Sequence, residues 1–193
     1  MKVLYIHGFN SAGFGAKTDA LRAAFGAGSV INPSLPPQPA AAMQLLDYLV
    51  GHLAGPDLLI LGSSLGGFYA LNLALKHPVT TVLVNPAVRD VAPGLAYALG
   101  SVNNYKTGES YTWSEADLEA LGDLELADTD WPRLQGHVRA YLDAGDEVLP
   151  APQIAAFLES QGIPVRLFPG GSHPFEHMDE LLVDLGAQLP VLD

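Results

Sequence analysis

The sequence predicts one domain of the α/β class, spanning residues 1–193, in which about six mostly parallel strands are flanked by helices. A length of 193 residues is typical of a single domain, and 49% of the residues are hydrophobic, so the chain can fill a core. Short apolar runs alternate with longer amphipathic ones along most of the sequence. Strands separated by helices form βα units, which favour parallel pairing with helices on both faces of the sheet.

The individual elements are predicted from apolar spacing and from the residues that interrupt it. Strands are expected where a short apolar run ends at glycine, asparagine or another polar residue. They cover residues 3–6, 30–31, 57–61, 79–84, 137–142 and 165–168. Helices are expected where apolar residues recur at helical spacing, which covers residues 18–25, 40–53, 65–76, 153–160 and 178–189.

Residues 88–134 interrupt this alternation, because they contain no clean strand pattern. Both tryptophans fall in this segment, with a group of tyrosines. An insert of this length between two strands predicts a small helical cap or lid over a substrate site. Tyr111 and Trp113 are then possible substrate-lining residues, and the alternative is a pair of surface helices that shield the edge of the sheet.

Composition excludes several classes of function. Nine Lys and Arg residues against 21 Asp and Glu residues give a formal net charge of −12, which argues against nucleic acids and anionic membranes as partners. The absence of cysteine excludes disulfides and a cysteine nucleophile. No apolar stretch reaches the roughly 18 residues of a membrane span, and the first run is shorter than a signal-peptide core of about 7–15 residues. We therefore expect a soluble, cytoplasmic protein.

The strongest motif is Gly-Ser-Ser-Leu-Gly at residues 62–66, which matches the pattern G-x-S-x-G. It lies between a strand pattern and a helix pattern, which is the context that the motif requires. Only Ser64 has glycines two positions before and after it, so the frame is fixed. A sharp turn there would lift the Ser64 hydroxyl above the sheet, close to the N–H groups of the following helix. Ser64 is the candidate nucleophile, and the alternative is a structural turn that opens a helix.

A serine nucleophile needs a base to take its proton and an acid to orient that base. His173 is the candidate base, because it lies in a glycine-rich loop after the last predicted strand, at the sheet edge where catalytic groups gather. The order serine, acid, histidine requires a carboxylate between these two residues, at the carboxyl end of a strand. Asp146 is best placed, Glu147 is its nearest rival, and Asp143 is expected to belong to the strand. A turn or helix-capping role is the alternative for Asp146.

The loop after the first predicted strand, at residues 7–11, reads His-Gly-Phe-Asn-Ser. Its position matches the loop that donates one backbone N–H to an oxyanion hole, the second coming from the residue after the nucleophile. This assigns the N–H groups of Phe9 and Leu65 to the oxyanion hole. His7 is then expected to organise the loop rather than to act as a second base.

Together these segments resemble the α/β hydrolases, and in particular the small YqiA-type esterases. The resemblance rests on residues 4–11, 62–70, 85–89, 107–113, 145–149 and 170–175, which are spread over nearly the whole chain. It implies a compact sheet without the two leading antiparallel strands of larger relatives. It also implies Ser64, Asp146 and His173 as a catalytic triad for the hydrolysis of short-chain carboxylic esters. Such a reaction needs no metal or organic cofactor, and we expect none.

Other functions compete with this interpretation. A thioesterase or other acyl hydrolase would use the same residues, and a catalytically silent hydrolase-fold binding protein is an alternative from a different class. Residues 173–177 match the zinc-protease pattern H-x-x-E-H, but Pro174 disfavours the helix that would align the two histidines. Residues 13–18 contain glycines and a lysine but not the spacing of a phosphate-binding loop. The expected partner is a small-molecule ester, and the net negative charge favours a neutral or cationic one over a phosphorylated one.

Overall fold

The computed structural model describes residues 1–53, 55 and 57–188, so Leu189, the last residue of the predicted closing helix, lies outside them. These residues form one α/β domain with a six-stranded main sheet and a separate two-stranded hairpin. The strands are β1 (Lys2–Ile6), β2 (Val30–Ile31), β3 (Leu58–Ser63), β4 (Thr80–Val84), β5 (Gly100–Asn103), β6 (Ser110–Trp113), β7 (Val138–Asp143) and β8 (Val165–Phe168). The α-helices are α1 (Ala16–Phe25), α2 (Pro39–Leu53), α3 (Leu65–Lys76), α4 (Val91–Gly94), α5 (Glu115–Gly122), α6 (Ala151–Ser160) and α7 (Met178–Gln188).

All six strands of the main sheet run parallel, in the order β2-β1-β3-β4-β7-β8, which confirms the predicted sheet. The direction of sheet growth reverses between β1 and β3, since the chain first adds β2 on one side of β1 and then all later strands on the other. In such sheets, the loops at the carboxyl ends of the two strands at the reversal diverge and leave a crevice for ligands. Here those loops carry residues 7–11 and Ser64.

Two helical layers cover the sheet, because alternate side chains of a strand point to opposite faces. In β1, Leu4 and Ile6 pack into the core that includes α2, α3 and α6. Val3 and Tyr5 pack into the opposite core, which includes α1 and α7. In the described ranges no helix combines the length and the apolar character that crossing a membrane requires.

The segment between β4 and β7 differs from the predicted helical cap. It contains α4 and α5, but it also contains the antiparallel hairpin β5–β6, whose pairing runs from Gly100 opposite Trp113 to Asn103 opposite Ser110. Apolar runs do not predict this hairpin, because β5 reads Gly-Ser-Val-Asn and is mostly exposed. The insert is therefore a mixture of short helices and a hairpin in which β5 is mostly exposed and β6 contains the buried Trp113.

The structure also corrects the interpretation of Trp113 as a possible substrate-lining residue. Its side chain is only 1% exposed and belongs to the core on the α2–α3 side of the sheet. The indole ring packs edge-on against Phe9, with the ring centroids 4.9 Å apart. A large aromatic ring buries much apolar area, and burial stabilises it more than exposure at a rim would. Trp113 therefore supports the loop after β1 from behind.

Candidate active site

Ser64 lies in a strained turn between β3 and α3. Its backbone has φ 56° and ψ −123°, a region that costs a residue other than glycine about 1–3 kcal/mol. Hydrogen bonds hold this conformation: the Ser64 N–H donates to the Val84 carbonyl at 3.1 Å, and the Ser64 carbonyl accepts from Gly67 and Ala87 at 2.9 and 3.0 Å. The turn is therefore fixed by the neighbouring strand and by its own helix.

Glycines on both sides of Ser64 allow this turn to pack tightly. A Cβ atom on Gly62 would lie 2.3 Å from the Gly66 carbonyl oxygen, and one on Gly66 would lie 2.2 Å from the Ile6 carbonyl oxygen. Real Cβ contacts are essentially never shorter than 3.0 Å. The motif glycines are thus required by the close approach of β3, α3 and the end of β1.

The structure brings the three predicted residues Ser64, His173 and Asp146 into one hydrogen-bonded row. The distance from His173 Nε2 to Ser64 Oγ is 3.0 Å. The opposite ring nitrogen, Nδ1, lies 2.8 Å from Asp146 Oδ2 and 3.0 Å from Oδ1. The Asp146 carboxylate is fully buried, whereas the imidazole is 21% exposed. With the Nδ1 proton donated to Asp146, Nε2 is free to accept the Ser64 hydroxyl proton.

Asp146 also forms the turn-capping hydrogen bonds that the sequence analysis gave as its alternative role. Its Oδ1 atom accepts the backbone N–H groups of Val148 and Leu149 at 2.9 and 2.8 Å. Burial acts to raise the pKa of Asp146, but the hydrogen bonds from His173 and from these two N–H groups outweigh it and lower the pKa below its ordinary value. The carboxylate is therefore ionised at neutral pH. One side chain thus both anchors the turn and bonds the imidazole.

Glu147, the rival of Asp146, contacts His173 in a different way. Its Oε2 atom accepts the backbone N–H of His173 at 3.0 Å and does not bond the ring. This hydrogen bond lowers the pKa of the exposed Glu147 carboxyl. Glu147 therefore fastens the histidine loop, whereas Asp146 orients the imidazole.

Asn85 is a residue of the site that the sequence analysis missed. Its Nδ2 group donates to the carbonyl oxygens of Ser172 and His173 at 2.9 and 3.2 Å, and its Oδ1 atom accepts the Asp143 N–H at 2.8 Å. Its backbone has a φ of 40°, in the left-handed region that asparagine tolerates better than most residues. An asparagine that directly follows a buried strand was the available signal.

Asp143 also supports the loop that carries His173. It ends β7, as predicted, and its side chain is fully buried. The carboxylate accepts the N–H groups of Glu176 and Ser172 at 2.7 and 3.2 Å and the His177 Nδ1 proton at 2.6 Å. Gly171 is required beside it, since a Cβ there would lie 2.1 Å from Asp143 Oδ2. A carboxylate buried at the end of an apolar strand needs hydrogen-bond donors around it. The position of Asp143 at the end of β7 was therefore the signal in the sequence for a loop-holding role.

His173 and His177, the two histidines of the H-x-x-E-H pattern, bond different aspartates. His173 is paired with Asp146 and His177 with Asp143. The two imidazoles therefore belong to separate acid–histidine pairs, which agrees with the expectation that they do not align on one helical face.

The predicted oxyanion loop lies directly beside Ser64. A Cβ on Gly8 would come within 2.9 Å of Ser64 Cβ and 3.4 Å of Ser64 Oγ, so glycine lets the loop approach the hydroxyl. Within the described residues, neither the Phe9 N–H nor the Leu65 N–H donates a hydrogen bond. Both residues line the same cleft as Ser64. Two free backbone donors thus lie near the candidate nucleophile.

His7 organises this loop, as the sequence analysis expects. The ring is 5% exposed; its Nδ1 donates to the Gly8 carbonyl at 2.8 Å, and its Nε2 accepts the Leu35 N–H at 2.9 Å. This pattern requires the neutral imidazole, because a protonated Nε2 would face a second donor. Burial lowers the pKa of His7, and the bond to Gly8 only partly opposes that shift.

An open cleft of about 1640 Å³ lies above the carboxyl ends of the strands, with Ser64 and His173 in its wall. Its apolar lining includes Val88 and Leu95 from the insert and Ile154 from α6. Tyr111 lines a neighbouring cavity of about 460 Å³ instead, behind the loop of residues 7–11. In the described part of the chain, Trp113 borders neither cavity.

Family and fold comparisons agree with this geometry. A model of the uncharacterised protein family UPF0227 matches residues 2–187. The chain belongs to this family. The fold is that of the α/β hydrolases, which confirms the resemblance seen in the sequence of this UPF0227 member.

Three solved structures illustrate the shared fold. Alpha/beta hydrolase domain-containing protein 10 from mouse is 14% identical with a TM-score of 0.73, over 97% of this chain and 88% of that chain. The monoacylglycerol lipase of Paleococcus ferrophilus is 16% identical with a TM-score of 0.69, over 96% and 92%. Est1E from Butyrivibrio proteoclasticus is 14% identical with a TM-score of 0.65, over 96% and 85%. At identities this low, the structural similarity shows the fold of the UPF0227 chain alone.

The neutral state of His7 predicts a pH-dependent stability. The pKa of His7 is lowered in the folded protein, so its contribution is fully present above about pH 6.5, the unfolded pKa, and is lost as pH falls toward the folded pKa. From pH 7.5 to 5.5 the free energy of unfolding in urea should fall on this account, and the largest decrease that one such group can cause over this range is about 1.4 kcal/mol. His7→Gln should remove that part of the decrease. An equal decrease in the variant would contradict the assignment, and His52→Gln, on the exposed surface of α2, is the matched control.

Proposed function

We propose that the protein is a serine hydrolase that cleaves short-chain carboxylic esters through an acyl-enzyme on Ser64. The observation that carries this proposal is the row of hydrogen bonds from Ser64 through His173 to Asp146 at the wall of an open cleft. Nucleophile, base and orienting acid are the parts that acyl transfer requires. The resemblance to YqiA-type esterases and the fold shared with esterases and lipases support the same chemistry.

In the first half-reaction, Ser64 Oγ attacks the carbonyl carbon of the ester while its proton passes to His173 Nε2. The imidazolium that forms is stabilised by the ionised, buried Asp146 carboxylate, which also keeps the ring in the required tautomer. His173 then gives the proton to the departing alkoxide, the ester C–O bond breaks and an acyl-serine remains. In the second half-reaction a water molecule gives one proton to His173 as its oxygen attacks the acyl carbon. The bond from the acyl carbon to Ser64 Oγ then breaks, His173 returns the proton to Oγ, and the carboxylic acid leaves with Ser64 restored.

The negative charge that develops on the carbonyl oxygen needs donors that are already in place. The Phe9 and Leu65 N–H groups are suited to this role, because they border the cleft and, as far as the structure describes the chain, have no hydrogen-bond acceptor. Leu65 is the first residue of α3, where the helix dipole also favours negative charge. Removing one such donor typically costs on the order of 10²–10³ in turnover.

The apolar part of the cleft suits the acyl chain. Val88 and Leu95 from the insert and Ile154 from α6 border the same space as the Ser64 hydroxyl. A short acyl chain could bury its methylene groups there, each worth about 0.8 kcal/mol when fully buried. A thioester presents the same carbonyl and acyl chain, so comparing an ester with the matched thioester separates the two activities.

Replacing the nucleophile is the primary test. Ser64→Ala should lower kcat for 4-nitrophenyl butyrate by several orders of magnitude, leaving roughly 10³–10⁴ over the rate in water from binding and the oxyanion donors. Ser160→Ala, at the exposed end of α6, is the matched control and should retain activity. Turnover of the Ser64 variant near that of the wild type would refute the proposal. Wild-type protein inactive on both butyryl ester and butyryl thioester would favour a silent binding protein.

The two neighbouring carboxylates give a second test. Asp146→Asn should reduce kcat by about 10⁴, because the amide cannot hold the same tautomer of His173 or stabilise its charge. Glu147→Gln should change kcat by only a few fold, since an amide oxygen can still accept the backbone N–H of His173. The measurement is kcat for the same ester in both variants. The reverse order of effects would move the orienting role to Glu147.

A further inference from the structure

The charges that line the cleft differ from those of the protein as a whole. The chain has only nine Lys and Arg residues, yet Lys17, Arg89 and Lys106 all border the cleft that holds Ser64. The carboxylates of Asp90 and Glu176 also border it. A protein with a net charge of −12 therefore places a third of its cationic side chains around one opening.

Lys17 and Lys106 come together from separate parts of the fold. Lys17 lies in the first turn of α1 and is half-buried. Lys106 lies in the turn between β5 and β6, and its ammonium would be 3.5 Å from a Cβ atom placed on Gly15, so it reaches back over the start of α1. The insert thus adds a second positive charge beside the first.

Neither ammonium forms a direct ion pair with a residue that the structure describes. None of the ion pairs there includes Lys17 or Lys106, and neither Nζ atom donates a hydrogen bond to another described residue. The Lys106 ammonium lies 5.8 Å from the centre of the Tyr105 ring, a weak contact at an exposed position. Two like charges at one rim repel each other, and a bound anion would relieve that repulsion.

The charge state of Lys17 agrees with this arrangement. Burial and the nearby Lys106 lower the pKa of Lys17 to about 8, and the attraction of Asp143 only partly opposes them. Asp143 itself is already bonded by His177 and by two backbone N–H groups. At neutral pH Lys17 is therefore still mostly protonated and available to an incoming anion.

We propose that Lys17 and Lys106 form a subsite for an anionic group on the substrate, so that the cleft takes esters bearing a carboxylate or phosphate. This inference rests on the proposed ester cleavage at Ser64 for its chemistry, but the subsite itself is a binding feature. A preference for anionic esters is the opposite of the preference for neutral or cationic esters that the net charge of the chain suggests. The local field in the cleft, and not the total charge, acts on a bound ligand.

Matched pairs of esters test the subsite. The first pair is mono-4-nitrophenyl adipate and 4-nitrophenyl hexanoate, which differ by a terminal carboxylate; the second is a butyryl ester of glycerol 3-phosphate and glycerol monobutyrate. The wild type should have the higher kcat/KM for the charged member of at least one pair, and the pair that responds identifies carboxylate or phosphate. An equal or lower kcat/KM for both charged members would overturn the proposal.

Charge-removing variants assign the effect to the two lysines. Lys17→Met and Lys106→Gln should each lower kcat/KM for the preferred charged ester about tenfold, the scale of one charge-assisted hydrogen bond, and leave the uncharged partner within a few fold. Lys17→Arg should restore much of the preference. Lys2→Gln, an exposed lysine outside the cleft lining, is the matched control and should behave as the wild type. Equal losses on charged and uncharged esters would contradict a specific subsite.

A binding measurement separates this proposal from the proposed reaction. In Ser64→Ala protein, calorimetry compares monomethyl adipate with methyl hexanoate, and the butyryl ester of glycerol 3-phosphate with glycerol monobutyrate. The charged member of at least one pair should bind more tightly, and adding Lys17→Met should remove the difference. If the wild type hydrolyses none of the esters while this lysine-dependent binding is present, the proposed function fails and the subsite stands. If Ser64-dependent hydrolysis is present but neither binding nor kcat/KM depends on the lysines, the subsite fails alone.

Discussion

The backbone conformation of Ser64 is the constraint on which the site depends. Ser64 has a positive φ between a buried strand and a helix, and its backbone is held by a hydrogen bond to Val84 and by hydrogen bonds from Gly67 and Ala87. This conformation turns the hydroxyl toward the cleft. This conformation costs about 1–3 kcal/mol, which is offset by the packing of the core, in which β3 is buried throughout. The same turn starts α3 at Leu65, so the candidate nucleophile and one candidate oxyanion donor are fixed by one feature.

The opposite side of the site depends on buried polar residues instead of apolar packing. Asp143 and Asn85 form hydrogen bonds with backbone groups of the loop that carries His173, and Asp146 accepts a hydrogen bond from the His173 imidazole. Each of these side chains follows or ends a central strand. The sheet therefore determines where the loop that carries His173 lies. A buried carboxylate without such partners would be costly, which makes the loop and the sheet end mutually dependent.

The sequence predicted the sheet and the three residues of the hydrogen-bonded row because both follow from local patterns. Apolar runs define β1, β3, β4 and β7, and the G-x-S-x-G frame identifies Ser64 without knowledge of contacts. The hairpin β5–β6 was missed because β5 is polar and mostly exposed, and because the two strands are stabilised by pairing with each other. The burial of Trp113, the loop-holding role of Asn85 and the approach of Lys106 to Lys17 all depend on contacts between segments distant in the chain. No local pattern reports such contacts.

The central claim is that Ser64 acts as nucleophile with the Phe9 and Leu65 N–H groups facing the developing oxyanion. A crystal structure of the protein after reaction with an alkyl fluorophosphonate tests it directly, since the phosphonyl group mimics the tetrahedral intermediate. We expect phosphorus bonded to Ser64 Oγ, fluoride lost, and the phosphonyl oxygen within about 2.7–3.1 Å of both nitrogens. Phosphorus on another residue, or an oxygen turned away from both N–H groups, would contradict the account.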